Sequence, residues 1–173
     1  MCIRDRTYKA SKQLFNEYKN PEELSQAKVV DIRRLIKPVA FYKIKAKKIK
    51  QVAEIIYREF DSQVPGEMEK LLELPLVGRK TANCVLVYGF REPAIPVDVH
   101  VHRISNRLGL VETEIPEETE IELEKITNKK YWIHVNEYFV RFGQLICKPI
   151  NPRCYECGFQ NTCRYLQNKD EKK

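Results

Sequence analysis

The sequence holds no apolar run of membrane-spanning length; the longest, Cys84 to Tyr88, falls far short of the roughly 20 residues a bilayer demands. No signal-peptide pattern opens it, no segment alternates as a strand does, and no repeat of solenoid length is visible. These absences set aside membrane-spanning, secreted, β-rich and repeat architectures. They lead us to expect an all-α protein in an intracellular setting, cytoplasmic or nucleoid-associated, with no membrane partner. In a reducing compartment six cysteines read as metal ligands or buried thiols rather than disulfides.

What is present is a basic, globular composition. Lys plus Arg number 31 against 24 acidic residues, a net charge of +7 and a pI near 9.1, with 43% hydrophobic and 32% charged residues over 173 positions. That surplus suits a polyanion, most simply nucleic acid. The periodic pattern begins abruptly at about Thr7, with Tyr8, Leu14, Phe15 and Tyr18 as its apolar members, which suggests an N-terminally truncated chain. Asn20 is placed to cap a short helix with Pro21 at its first position. A further helix fits Val29 to Ile36. Tyr42 to Phe60 follows, with Ile49, Val52, Ile56 and Phe60 as its buried stripe and Lys43, Lys45, Lys47, Lys48 and Lys50 crowding its first turns. Later helices are expected from Asp98 to Gly109, from Pro116 to Thr127, and from Tyr131 to Ile146. The last carries a stripe of Trp132, Val135, Phe139, Phe142 and Ile146.

The chain is organised around Leu71 to Val87. A helical pattern ends at Leu74 and is cut by Pro75; Gly78 follows, and a second helix starts at Arg79 with Ala82, Val85, Leu86 and Phe90 on one face. So tight a turn aims the amides of Leu76 to Lys80 outward at a helix N-terminus, where they suit a phosphate oxygen. An ordinary αα-corner fits the Leu-Pro-x-Val-Gly string equally well. Near the C-terminus stands Cys147-x6-Cys154-x2-Cys157-x5-Cys163. Thiolates so crowded need a compensating cation, zinc or an iron–sulfur cluster; a single C-x2-C pair with unequal spacings favours the cluster. Cys84 is expected as a buried core thiol, and Cys2 carries no reading. His100 and His102 are too close in sequence to share a helix face, and neither is read as a metal ligand.

The string Leu74-Pro75-Leu76-Val77-Gly78-Arg79-Lys80-Thr81-Ala82-Asn83, the run Pro96-Val97-Asp98-Val99-His100-Val101-His102-Arg103 and the cysteine loop together resemble endonuclease III, the iron–sulfur branch of the helix-hairpin-helix DNA glycosylases. The likeness spans about Thr7 to Cys163. It implies a helical barrel domain over 1–92 with the hairpin at 68–87, and a cluster domain over 93–173 with its cluster loop at 147–163. Lys80 is then the nucleophile and Asp98 its catalytic partner. Leu76, Val77, Gly78, Arg79 and Thr81 contact DNA, and Cys147, Cys154, Cys157 and Cys163 hold a [4Fe–4S] cluster. The resemblance further implies base excision of oxidised pyrimidines and cleavage of abasic sites by β-elimination through a lysine imine. The substrate is duplex DNA with a damaged pyrimidine or an abasic site, and the protein acts as a monomer. Related adenine- and thymine-mismatch glycosylases lack a lysine at this position. A monofunctional mismatch glycosylase and a non-catalytic DNA-binding iron–sulfur module are the alternatives.

Lysine is ordinarily charged near neutral pH. Attack on a sugar carbon therefore leads us to expect Lys80 partly buried, at the positive end of its helix, with the negative charge of Asp98 favoured at another. Judged singly, Asp98 is simply a helix N-cap. Two departures from the family pattern bear on function. Leu76 stands where the hairpin normally has glycine, and helical sequence upstream of Thr7 is missing, which weakens cluster binding and base flipping. Lys148, Arg153 and Arg164 are expected to form a basic surface beside the cluster.

Overall fold

A computed structural model describes residues 3–170, so that Cys2 lies outside the described residues. Its regular elements are all helical: α1 (Ile3–Glu17), α2 (Pro21–Gln26), α3 (Val29–Leu35), α4 (Tyr42–Glu59), α5 (Met68–Glu73), α6 (Arg79–Val85), α7 (Val99–Leu108), α8 (Pro116–Ile126), α9 (Trp132–Leu145) and α10 (Arg164–Asp170). A π-helical turn, Leu86–Phe90, and two short 3-10 turns, Lys129–Tyr131 and Cys154–Glu156, complete them. Among the described residues there is no strand, and no helix is long and apolar enough to cross a membrane. The first helix starts at Ile3 rather than near Thr7. Backbone hydrogen bonding needs no apolar side chains, and apolar spacing was all the periodicity could report.

Two compact units divide the chain, one running to Val77 and the other from Gly78. In the first, the start of α2 is fixed by reciprocal bonds: Glu23 N–H donates to Asn20 Oδ1 at 2.8 Å, and Lys19 N–H donates to Glu23 Oε2 at 2.7 Å. This capping box, with Pro21 at the first helical position, stops α1 and restarts the chain in a new direction. Ala10, Leu14, Leu24, Ala27, Ile32, Ile36, Ala46 and Ala53 form the core. Of the stripe expected on α4 only Ile56 is fully buried; Ala46 and Ala53 take the innermost places. Where helices approach most closely there is room for a Cβ and little more, so the larger residues flank the seam. Lys45 and Lys48 line an apolar groove beside Leu14, Leu24, Ile49 and Val52, so their stems cover hydrocarbon while their charges reach water.

In the second unit, α6 passes into a π-helical turn, Leu86–Phe90, closed by Arg91 in a left-handed conformation (φ 63°). Residues 92–97 then run without regular structure. This connection is not a surface loop: Ala94, Ile95, Pro96 and Val97 are buried, Ile95 completely. Buried backbone without a sheet partner needs side-chain donors. Asn83 Nδ2 reaches the Ile95 carbonyl at 3.4 Å, and Asn136 Nδ2 reaches that of Pro96 at 2.7 Å. Ile95, Val97, Val101, Val111, Leu123 and Val135 make the core, with Trp132 and Phe139 packed against it. On α9 the fully buried positions are Val135, Asn136, Val140 and Gly143, one step round from much of the expected stripe. Gly143 explains the offset. A Cβ there would stand 2.4 Å from His100 Nδ1, so α9 meets α7 along its smallest residue and its aromatic rings lie to either side.

Candidate active site and cysteine loop

The turn before α6 places its strain where the sequence has no glycine. Leu76 adopts φ 64°, while Gly78, the N-cap of α6, is extended at φ −94°. Gly78 thus makes no use of the positive-φ conformations open to glycine, and a Cβ there would meet open space. Left-handed backbone costs an L-residue about 1–2 kcal/mol. Leu76 is 58% exposed, so its side chain returns little of that by burial. Leu76→Gly is accordingly expected to stabilise the protein by about 0.5–1 kcal/mol, the relieved strain less the extra entropy of the unfolded chain. Thermal melting should show a rise in Tm of about 2 °C, and an unchanged or lower Tm would contradict the strain argument.

Lys80 and Thr81 lie on the first turn of α6 and are exposed. The partial burial expected of Lys80 is absent, because its turn sits at the surface with nothing packed over it. Among the described residues its ammonium has no ion-pair partner, whereas Arg79 beside it is firmly engaged. Arg79 Nε donates to both carboxylate oxygens of Glu120 at 3.1 Å, and Nη2 stands 3.0 Å from Oε1. Those bonds hold the guanidinium above its ordinary pKa. Burial, with Glu120 close by, pushes the Glu124 carboxyl up.

Asp98 is half-buried and caps α7: its Oδ1 accepts from His100 N–H at 2.8 Å and from Val101 N–H at 3.0 Å. The cap read from the sequence is thus present, and it leaves Oδ2 with no protein donor among the described residues. The other end of α7 closes on Gly109, left-handed at φ 78°. Between these ends the helix carries two arginines directed at the cysteine loop. Arg103 Nη2 donates to the Cys147 carbonyl at 2.9 Å; burial, then neighbouring Arg107, holds its guanidinium below the usual pKa. Arg107 donates to the carbonyls of Lys148 at 2.7 Å and Pro149 at 2.9 Å, its Nη1 stands 3.6 Å from Cys147 Sγ, and Tyr165 stacks beneath it.

Cys147, Cys154, Cys157 and Cys163 all line one small cavity. Among the described residues no three such ligands converge closely enough to hold one metal ion. Phe159 N–H points at Cys157 Sγ from 3.5 Å. N–H donors aimed at sulfur are what thiolates need to hold negative charge. The residues present therefore fit an inorganic cluster bound through four sulfurs. Cys84, expected in the core, is only half-buried and does not line this cavity. Of the basic residues expected beside the loop, Arg153 pairs with Glu156 at 3.2 Å and Arg164 with Glu112 at 2.8 Å. Exposed pairs of this kind are screened by water and contribute little, so they yield readily to a stronger anion.

A helical chain with a strained turn before a lysine-bearing helix, a capped aspartate and a cysteine loop clamped by arginines defines a class: the chain belongs to the HhH-GPD superfamily of base excision DNA repair proteins, whose family model matches residues 4–129. Within that class its relatives are endonucleases III. It is 48% identical over 165 residues to endonuclease III of Thermotoga maritima, covering 95% of this chain and 78% of the relative. Identity to endonuclease III of Bacillus subtilis is 36% over 168 residues, covering 95% and 75%. The structure of a trapped endonuclease III–DNA covalent intermediate superposes with a TM-score of 0.88 at 32% identity, over 94% of this chain and 76% of that one. A thermostable thymine-DNA glycosylase shares the fold, with a TM-score of 0.82 at 23% identity.

Proposed function

We propose that this chain is a bifunctional DNA glycosylase and abasic-site lyase that removes oxidised or ring-saturated pyrimidines from duplex DNA and acts as a monomer. The observation that carries the reading is Lys80: an exposed primary amine without a carboxylate partner among the described residues, on the first turn of α6, in a chain of this family. The Val77 amide is already bonded to the Leu74 carbonyl at 3.1 Å, so the amides of Leu76 and of Gly78 to Lys80, with Thr81, grip the phosphates on one side of the lesion. The open space at Gly78 lets the strand approach closely. A base inside the stack is out of reach, so the nucleotide is extruded before reaction.

Lys80 Nζ attacks C1′ of the extruded sugar, the C1′–N bond breaks, and the base departs with its electron pair. Loss of a proton from the nitrogen lets its lone pair expel O4′, which takes up a proton as the ring opens and leaves an imine at C1′. The imine acidifies C2′; removal of that proton expels the 3′ phosphate, completing β-elimination. In the free protein Lys80 is hydrated, so the dry setting that favours an uncharged amine has to come from the bound DNA itself. Asp98, whose Oδ2 has no protein donor among the described residues, stabilises the positive charge that develops at the sugar.

The division into a barrel domain and a cluster domain follows the same reading. Cys147, Cys154, Cys157 and Cys163 would hold a [4Fe–4S] cluster, whose contribution is structural: it fixes the loop that carries Lys148, Arg153 and Arg164 toward the backbone. Purified protein is therefore expected to be brown, with about four irons per chain. Cys157→Ser should lose most of that colour, and a colourless protein holding one zinc would overturn the cluster. Borohydride reduction during incubation with an abasic-site duplex tests the chemistry and should yield a covalent protein–DNA adduct. A binding module would shift the duplex in a gel without ever crosslinking.

A further inference from the structure

We propose, on the lyase reading above, that the Arg79 side chain is a positioning clamp rather than a phosphate contact. With Glu120 and Thr119 of α8 it fixes the first turn of α6, and hence Lys80, relative to the helix that Asp98 begins. Position 79 then contributes only its backbone amide to the DNA.

The geometry separates Arg79 from a phosphate ligand. Its guanidinium meets Glu120 two-pronged, Nε at 3.1 Å from each oxygen, and the Glu120 side chain is only 4% exposed. A carboxylate that deep in the protein depends on its cation, so Arg79 cannot swing to a phosphate without stranding a buried charge. Glu117 and Glu124 add to the negative field that holds it. The preceding residue of α8 performs the matching task for α7: the fully buried Thr119 Oγ1 lies 2.6 Å from His102 Nδ1 and 2.6 Å from Thr113 Oγ1. His102 N–H in turn bonds the Asp98 carbonyl at 2.9 Å. Neighbouring residues of one helix thus grip the elements carrying the amine and the carboxylate. Both must be placed to a fraction of an ångström for attack on a sugar carbon.

The test uses the full chain with its cluster, at a temperature well below melting. It compares Arg79→Lys, Glu120→Gln and the double variant, which keep side-chain size and spare Glu120 the loss of all its partners. Borohydride trapping of an abasic-site duplex at saturating protein reads the chemistry, and fluorescence anisotropy at several salt concentrations reads binding. Each single variant should trap at least tenfold more slowly at saturation, with Kd within twofold and the salt slope unchanged. The double variant should be no slower than the slower single one. A full trapping rate at saturation in either single variant, even with a lowered Tm, overturns the clamp. So does weaker binding with a salt slope smaller by about 0.9, the signature of a lost phosphate contact, or tighter binding by Glu120→Gln, which would mean that Arg79 had been released toward DNA. A wild-type chain that forms no adduct overturns the lyase reading and the clamp with it. A wild-type adduct that Lys80→Ala abolishes and Arg79→Lys leaves at full rate overturns the clamp alone.

Discussion

Alanine at position 80 should abolish the borohydride-trapped adduct while leaving the protein folded. Lys80 is exposed and has no ion-pair partner among the described residues, so its removal costs within about 0.5 kcal/mol of stability, and alanine is a better helix former. The chemistry has no such reserve. A covalent mechanism without its nucleophile loses on the order of 10⁴-fold or more in rate, with binding intact. Denaturing gels of the trapped complex give the first quantity and thermal melting the second. An adduct of comparable yield in Lys80→Ala would mean that some other amine reaches the sugar, and the assignment of α6 as the catalytic helix would fall.

Asp98 allows a sharper separation, because one residue has two tasks that different substitutions divide. Its Oδ1 caps α7 through two backbone amides. Asparagine is as good an N-cap as aspartate, whereas alanine costs about 1 kcal/mol. Asp98→Asn should therefore melt at the wild-type temperature yet process damaged duplex about 10²–10³-fold more slowly at saturation, since it keeps the cap and removes the charge. Asp98→Ala should show the same kinetic loss together with a lowered Tm. Full activity in Asp98→Asn would reduce the residue to a cap.

Legibility of these features in the sequence followed their reach along the chain. Asn20, Asp98 and Gly109 act on backbone within a few residues, so helix-capping rules found them and the structure has them in place. Leu76 could be singled out because a glycine was expected there, and its left-handed backbone is the physical content of that departure. The cysteine spacing was plain, but the arginines that hold the loop were not, since Arg107 and the carbonyls it binds are more than 40 residues apart. Buried polar residues were missed for the same reason. Asn83, Asn136, Thr119 and Glu120 lie among apolar positions, and nothing local says which distant group each will satisfy. Periodicity also overstated the burial of the aromatic residues on α9, because close helix approach selects the smallest side chain on a face, not the most apolar one.

The largely buried run from Glu92 to Val97 behaves as a measuring rod. Connections between helices ordinarily accept insertions at small entropic cost. This one is anchored inside the protein by Asn83 and Asn136 at its far end, immediately before Asp98. One added residue would let the aspartate shift by up to roughly 3.3 Å from its place at the head of α7. Catalytic competence is thus tied to the length of this run as strictly as to the identity of any residue in it.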